Sequence, residues 1–199
     1  GEFFYCPVYL MKNLKDLMPT KKLVIILNEK DVRVEHINEL LNPCLDLIKM
    51  VRLAINPDNF IRAKKLAKEI KKMGFEVALN IMYMSDWKGN SFLDELDNLN
   101  EIADYLYMVD SYGGVFNYNI QNTIKLLKKK TSVNLGFHGH NNLEMALSNS
   151  ICAIDNGCKI IDSTITGMGR GAGNLKTELL LTYLNSVKNI EFDYDKLSE

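Results

Sequence analysis

Two of the three histidines in this chain stand two residues apart, in the stretch NLGFHGHNN at 134–142. Residues i and i+2 of a strand point to the same face, so at a strand's end the imidazoles of His138 and His140 can reach one point. Two neutral imidazoles are good ligands for Zn, Mn, Fe or Co, and they leave positions open for water and substrate, as a Lewis-acid site requires. A bare His-x-His is a weak signal, and hydrogen-bonded histidines without a metal are its ordinary alternative. His36, in the charged stretch EHINELL, reads as an exposed surface residue. A second stretch with chemical potential is TITGMGRGAGN at 164–174, where Gly167, Gly169, Gly171 and Gly173 alternate across one loop. Glycine permits close backbone approach to a ligand, and the helix that follows could present N–H groups to an anion. A plain tight turn is the alternative. Gly167-x-Gly169-x-x-Ala172 also fits a dinucleotide fingerprint, with Glu191 downstream. The loop follows the last apolar run, however, and leaves no room for the rest of a dinucleotide fold.

These residues need a scaffold, and the chain repeats one. Apolar runs LVIIL, VRLAI, VALNI, YLYMV, VNLGF and KIIDS begin at 23, 51, 77, 105, 133 and 159, at intervals of 28, 26, 28, 28 and 26. Each is apolar on consecutive positions, as a strand buried on both faces reads. Amphipathic helical patterns lie between them at 58–73, 117–130, 142–156 and 175–184, with Asp58 as a cap and Gly74 and Gly157 as stops. MKNLKDLMP reads as a helix feeding the first strand. A strand–helix unit of this length, repeated six times, points to an α/β fold with a parallel sheet. The even spacing favours a (β/α)8 TIM barrel over a doubly wound sheet. Eight units take about 250 residues, so 1–199 reads as a single partial barrel domain with about six βα units present and the first two missing. Barrel active sites form at the C-terminal strand ends. Those ends carry Asn28, Asn56 with Asp58, Asn80, Asp110 with Ser111, the histidines, and Thr164 with Thr166. Asn28, Asn56 and Asp58 read as caps and loop braces.

Composition sets the outer bounds. The 199 residues are 47% apolar and 25% charged with a net charge of −1, which fits a globular chain and gives no basic footprint for nucleic acid. Lys125 to Lys130 is a solvated helix end. Cys6, Cys44, Cys152 and Cys158 form no pair pattern, so reduced thiols in a cytoplasmic setting are expected, with Cys152 and Cys158 as small buried apolar residues. No apolar run is long enough to span a membrane, and GEFFYCPVYL lacks the charged region and cleavage pattern of a signal peptide. The long helical faces would allow a homo-oligomer.

VDSYGG (109–114), GFHGHNN (136–142), LEMALSNSICAIDNG (143–157) and DSTITGMGRGAGN (162–174) together resemble the metal-dependent pyruvate-type aldolase and lyase superfamily of TIM barrels. Its members include 4-hydroxy-2-oxovalerate aldolases, hydroxymethylglutaryl-CoA lyases and isopropylmalate and homocitrate synthases. The resemblance implies that His138 and His140 bind a divalent metal and that Asn174 lies near it as a further ligand. The implied ion is Mn2+ first, with Mg2+, Co2+ or Zn2+ as alternatives. It implies that Asp110 and Ser111 hold the substrate, with the serine donating to a carboxylate, and that Gly169 and Arg170 belong to the substrate loop. DSYGG and GMGRGAGN are closer to the hydroxy-oxovalerate aldolases than to the synthases. The implied reaction cleaves or forms a C–C bond next to a 2-oxo acid, through a pyruvate enolate, with an aldehyde as the other partner. The catalytic base is unknown from the sequence. The family's opening Arg-Asp-Gly motif, which supplies a third ligand and an enolate-stabilising arginine, does not occur in these residues. It is expected in the two absent units, so the chain is read as a fragment, inactive by itself. The alternatives are an acyl-CoA-dependent condensing synthase and a non-catalytic barrel-derived binding module.

Overall fold

A computed structural model describes residues 5–194. Six strands, β1 (Val24–Asn28), β2 (Met50–Ile55), β3 (Glu76–Ile81), β4 (Tyr105–Asp110), β5 (Asn134–Gly139) and β6 (Ile160–Ile161), are hydrogen-bonded in chain order within one sheet. The β1–β2, β2–β3 and β5–β6 pairs are parallel. The α-helices are α1 (Val8–Leu17), α2 (Ile37–Leu41), α3 (Phe60–Lys72), α4 (Asn117–Lys130), α5 (Ala146–Asp155) and α6 (Thr177–Lys188). Strand order that follows chain order, with α-helices in four of the five crossovers, is the α/β connectivity of the (β/α)8 class.

The described residues cluster into two compact units. The first runs to Met82 and includes 89–106 and 130–133. Its core is the face of β2 and β3 that carries Val51, Leu53, Ile55, Val77 and Leu79, with Phe60, Leu66 and Ile70 of α3 also buried. The second comprises 83–88, 107–129 and 134 onward, and β4 passes from one unit into the other. It holds β5, β6 and α4 to α6, with Ala146, Leu175 and Leu180 as one buried cluster.

Four elements differ from the sequence reading. Asp58 does not cap α3. A 3-10 turn at Pro57–Asn59 precedes the helix, and Asn56 Oδ1 accepts from the Asp58 N–H at 3.1 Å. α5 starts at Ala146 rather than Asn142, because Asn141 Oδ1 accepts from the Ala146 N–H and the residues between form a turn. β6 keeps two residues, since Thr164 leaves it to exchange hydrogen bonds with Leu175 and Thr177. The β3–β4 crossover has no α-helix, only 3-10 turns at 84–86, 91–95 and 99–101 pinned by buried Trp87, Phe92, Leu96 and Leu99. Asn28 and Asn56 do brace their loops, and His36 is exposed. Cys152 and Cys158 are buried free thiols. No helix among the described residues is long and apolar enough to cross a membrane.

Candidate metal centre

β5 ends at Gly139, and His140 follows it directly. Phe137 and Gly139 face α5, where a Cβ on Gly139 would touch Ala146. By strand alternation His138 and His140 share the other face. Their ring centroids are 4.9 Å apart with the planes at 68°.

Each ring is fixed through the same nitrogen. His138 Nδ1 lies 2.8 Å from Asp162 Oδ2, and His140 Nδ1 lies 2.8 Å from the Asp110 carbonyl. A carbonyl oxygen or a carboxylate can only accept, so both contacts assign the proton to Nδ1 and leave the lone pair on Nε2. Metal-binding histidines are oriented in this way, with the outer nitrogen donating to a carboxylate or a backbone carbonyl. Asp162 was not singled out in the sequence. The β5–β6 register supplies it: Phe137 pairs with Ile161 and accepts from the Asp162 N–H at 3.0 Å, which sets Asp162 beside His138.

Asn174 is delivered by the glycine loop. It forms an antiparallel bridge with His140, flanked by Asn141 N–H donating to Gly173 O at 2.8 Å and Leu175 N–H donating to Gly139 O at 3.3 Å. Its Nδ2 donates to Met168 O at 2.8 Å. Its Oδ1 is buried and has no hydrogen-bond partner. A buried amide oxygen left unpaired costs roughly 1–3 kcal/mol unless something else takes its lone pairs. Gly169 is packed so tightly against this amide that a Cβ there would overlap it. Arg170 is exposed, and its carbonyl accepts from the Gly173 N–H at 2.9 Å.

Asp110 is 1% exposed, and its carboxylate is spent on its own loop, accepting from Gly114 N–H at 3.1 Å and Val115 N–H at 3.4 Å. Ser111 Oγ accepts from the Tyr83 N–H at 2.9 Å. A hydroxyl has one donor and two lone pairs, so the serine proton remains available to a ligand.

Two Nε2 lone pairs and an orphaned amide oxygen form a donor set that suits a divalent ion of borderline hardness. Among the described residues no three His, Cys, Asp or Glu side chains come together as a metal-binding group, here or elsewhere, so this set rests on two imidazoles and one amide oxygen.

Comparison with known proteins identifies the family and the fold. Residues 39–197 match the HMGL-like family. A 4-hydroxy-2-oxovalerate aldolase from Geobacillus thermodenitrificans is 34% identical over 142 residues, 70% of this chain and 41% of that protein. One from Carboxydothermus hydrogenoformans is 36% identical over 138 residues, 68% of this chain and 41% of that protein. The chain thus spans about two fifths of the length of the curated relatives it matches. The crystal structure of the N-terminal domain of a candidate aldolase from Bacteroides vulgatus superposes with a TM-score of 0.97 at 52% identity, covering 100% of this chain and 66% of that one. The carboxyl transferase domain of Rhizobium etli pyruvate carboxylase, solved with pyruvate, gives a TM-score of 0.77 at 13% identity, over 96% of this chain and 35% of that one. At that identity it shows a shared fold alone.

Proposed function

The chain belongs to the HMGL-like family, and from that membership we propose that it is the metal-site portion of a divalent-metal-dependent aldolase. The reaction cleaves a 4-hydroxy-2-oxo acid to an aldehyde and a 2-oxo acid, or runs in reverse. The observation that carries this reading is the pair of imidazoles, each anchored at Nδ1 so that the Nε2 lone pair is left over, together with the unpaired side-chain oxygen of Asn174, the residue bridged to His140.

His138, His140 and Asn174 would hold the ion, Mn2+ in the first instance. When bound, it supplies Lewis-acid stabilisation of the charge that develops on the ketone oxygen as the C–C bond breaks. The residues of the chain do the rest of the work assigned here. Asp162 and the Asp110 carbonyl keep the imidazoles in the Nδ1–H tautomer. The buried Asp110 carboxylate holds the loop that presents Ser111, whose free O–H donates to the substrate carboxylate. Gly169 allows the Asn174 amide to sit where it does, and Arg170 offers a cation at the rim for an anionic substrate.

The test uses the full-length protein. It should consume 4-hydroxy-2-oxopentanoate only with a divalent ion present, and His138→Ala should lower kcat/KM at least a hundredfold. Turnover that survives both chelation and this substitution refutes the proposal.

A further inference from the structure

Ser111 has a neighbour on each side that the reaction has not yet used. Asp110 O accepts from His140 Nδ1 at 2.8 Å and also from the Gly113 N–H at 3.2 Å. Residues 110–113 are therefore a tight turn, with Ser111 and Tyr112 at its centre and its first carbonyl on a histidine of the metal centre. Tyr112 packs its ring on Tyr83, with centroids 5.6 Å apart and the planes at 34°. Tyr83 in turn donates its N–H to Ser111 Oγ. One ring thus belongs to the residue whose N–H binds the Ser111 hydroxyl, and the other to the residue next to Ser111 in the turn.

Half-exposed tyrosines on a surface are ordinary, and Tyr112 is 54% exposed. Three features separate this pair from that background. Tyr83 adopts φ 58°, ψ 46°, the left-handed region that a bulky residue avoids. Strain of this kind persists where surrounding contacts over-determine it, and it gathers at ligand sites. Two of the contacts at Tyr83, its N–H on Ser111 Oγ and its ring on Tyr112, come from the turn that bears on His140; its carbonyl accepts from the Asp86 N–H at 2.8 Å. Asp86 also lies near the Tyr112 hydroxyl; desolvation and then that carboxylate's charge raise the phenol's pKa above its ordinary value. The phenol is neutral at physiological pH and serves as a fixed apolar surface rather than a base.

The geometry points to Tyr83 and Tyr112 as the wall that selects the 2-oxo acid half of the reaction, limiting the substituent on C3 to a small one. This rests on the aldolase reading above. With the carboxylate on Ser111, the carbon chain of the acid leads away beside the two rings, and a larger C3 group collides with them. One methylene in such a contact changes kcat/KM by about 10- to 200-fold.

The experiment measures aldol addition by the full-length, Mn2+-loaded protein, with pyruvate or 2-oxobutanoate as the acid and acetaldehyde as the common aldehyde. The wild type should prefer pyruvate. Tyr112→Ala should reduce that preference about tenfold or more, and Tyr112→Phe should keep it. The preference for acetaldehyde over propanal, with pyruvate as the acid, should stay within twofold in Tyr112→Ala. Should Tyr112→Ala not fold, Tyr112→Val carries the same expectation, since it removes the ring and leaves a much smaller side chain. An unchanged acid preference in the folded variant overturns the assignment, and so does a change confined to the aldehyde preference. A wild type with no aldol activity under any metal overturns the proposed function and this inference with it; an active wild type isolates the second.

Discussion

A histidine that binds a metal through Nε2 needs its Nδ1 proton held, and Asp162 does this for His138 at 2.8 Å. Asn in place of Asp keeps an oxygen that can accept but removes the negative charge that makes the ring a stronger ligand. Losses at such outer partners cost about 10- to 100-fold in metal affinity. Asp162→Asn in the full-length protein should therefore weaken Mn2+ binding by that range, read by titration of the free-ion EPR signal; an unaltered Kd would make Asp162 a merely structural partner. Cys158 gives a second prediction, on stability. Burial, partly offset by the Lys128 charge, pushes its thiol from 9.0 up to about 12. Between those values the unfolded chain has lost the thiol proton and the native chain has kept it. The unfolded state then binds fewer protons, so stability falls as pH rises across the window. The urea midpoint should drop between pH 8 and pH 10.5 in the parent, and the drop should be shallower in Cys158→Ala.

At the scale of the element, β5 does most to define the site, and its sequence explains how. Gly136, His138 and His140 alternate along one face. At Gly136 a Cβ would come within 2.8 Å of the Tyr107 ring on β4. Gly136→Ala should push β5 off β4 and cost about 1–3 kcal/mol, seen as a lower denaturation midpoint with an unchanged m-value. A neutral result would mean that Tyr107 swings aside freely. The strands were legible because parallel strands buried on both faces need unbroken Val, Ile and Leu. All six apolar runs became strands, and α4 spans the residues its pattern marked. The histidine pair was legible for a related reason: i and i+2 in a strand is a fixed geometry. Local hydrogen bonds were not. Asn56 caps the 3-10 turn that leads into α3 and Asp58 does not cap the helix, yet NPDN offers both residues and does not rank them. Asp162 depends on the β5–β6 register, the lone Asn174 oxygen on how the glycine loop folds back, and Tyr83 on a backbone conformation that propensity argues against. Each of these is a tertiary fact that a one-dimensional pattern does not encode.

At the scale of the molecule, the proposed donors come from separated stretches of chain: the end of β5 for both imidazoles, and the loop before α6 for Asn174. Their supports come from β4 and from the residues that follow β6. The unfolded chain does not bring these stretches together, so an ion held by all of them binds the native state alone and must stabilise it. The gain is RT ln(1 + [L]/Kd), about 2.7 kcal/mol when the free ion is a hundred times its Kd. For a protein of this size about 1 kcal/mol moves Tm by roughly 2–4 °C, so the shift should be on the order of 5–10 °C. Differential scanning calorimetry of the full-length protein with and without Mn2+ measures it directly and needs no turnover. His140→Ala should lower Tm in both conditions and erase the difference between them, because one Nε2 ligand is gone. Cys158→Ala, which alters packing in the same unit but no donor, should retain the difference. A Mn2+ shift of equal size in His140→Ala would place the ion elsewhere, and the paired imidazoles would then be a hydrogen-bonded brace between the ends of β4, β5 and β6.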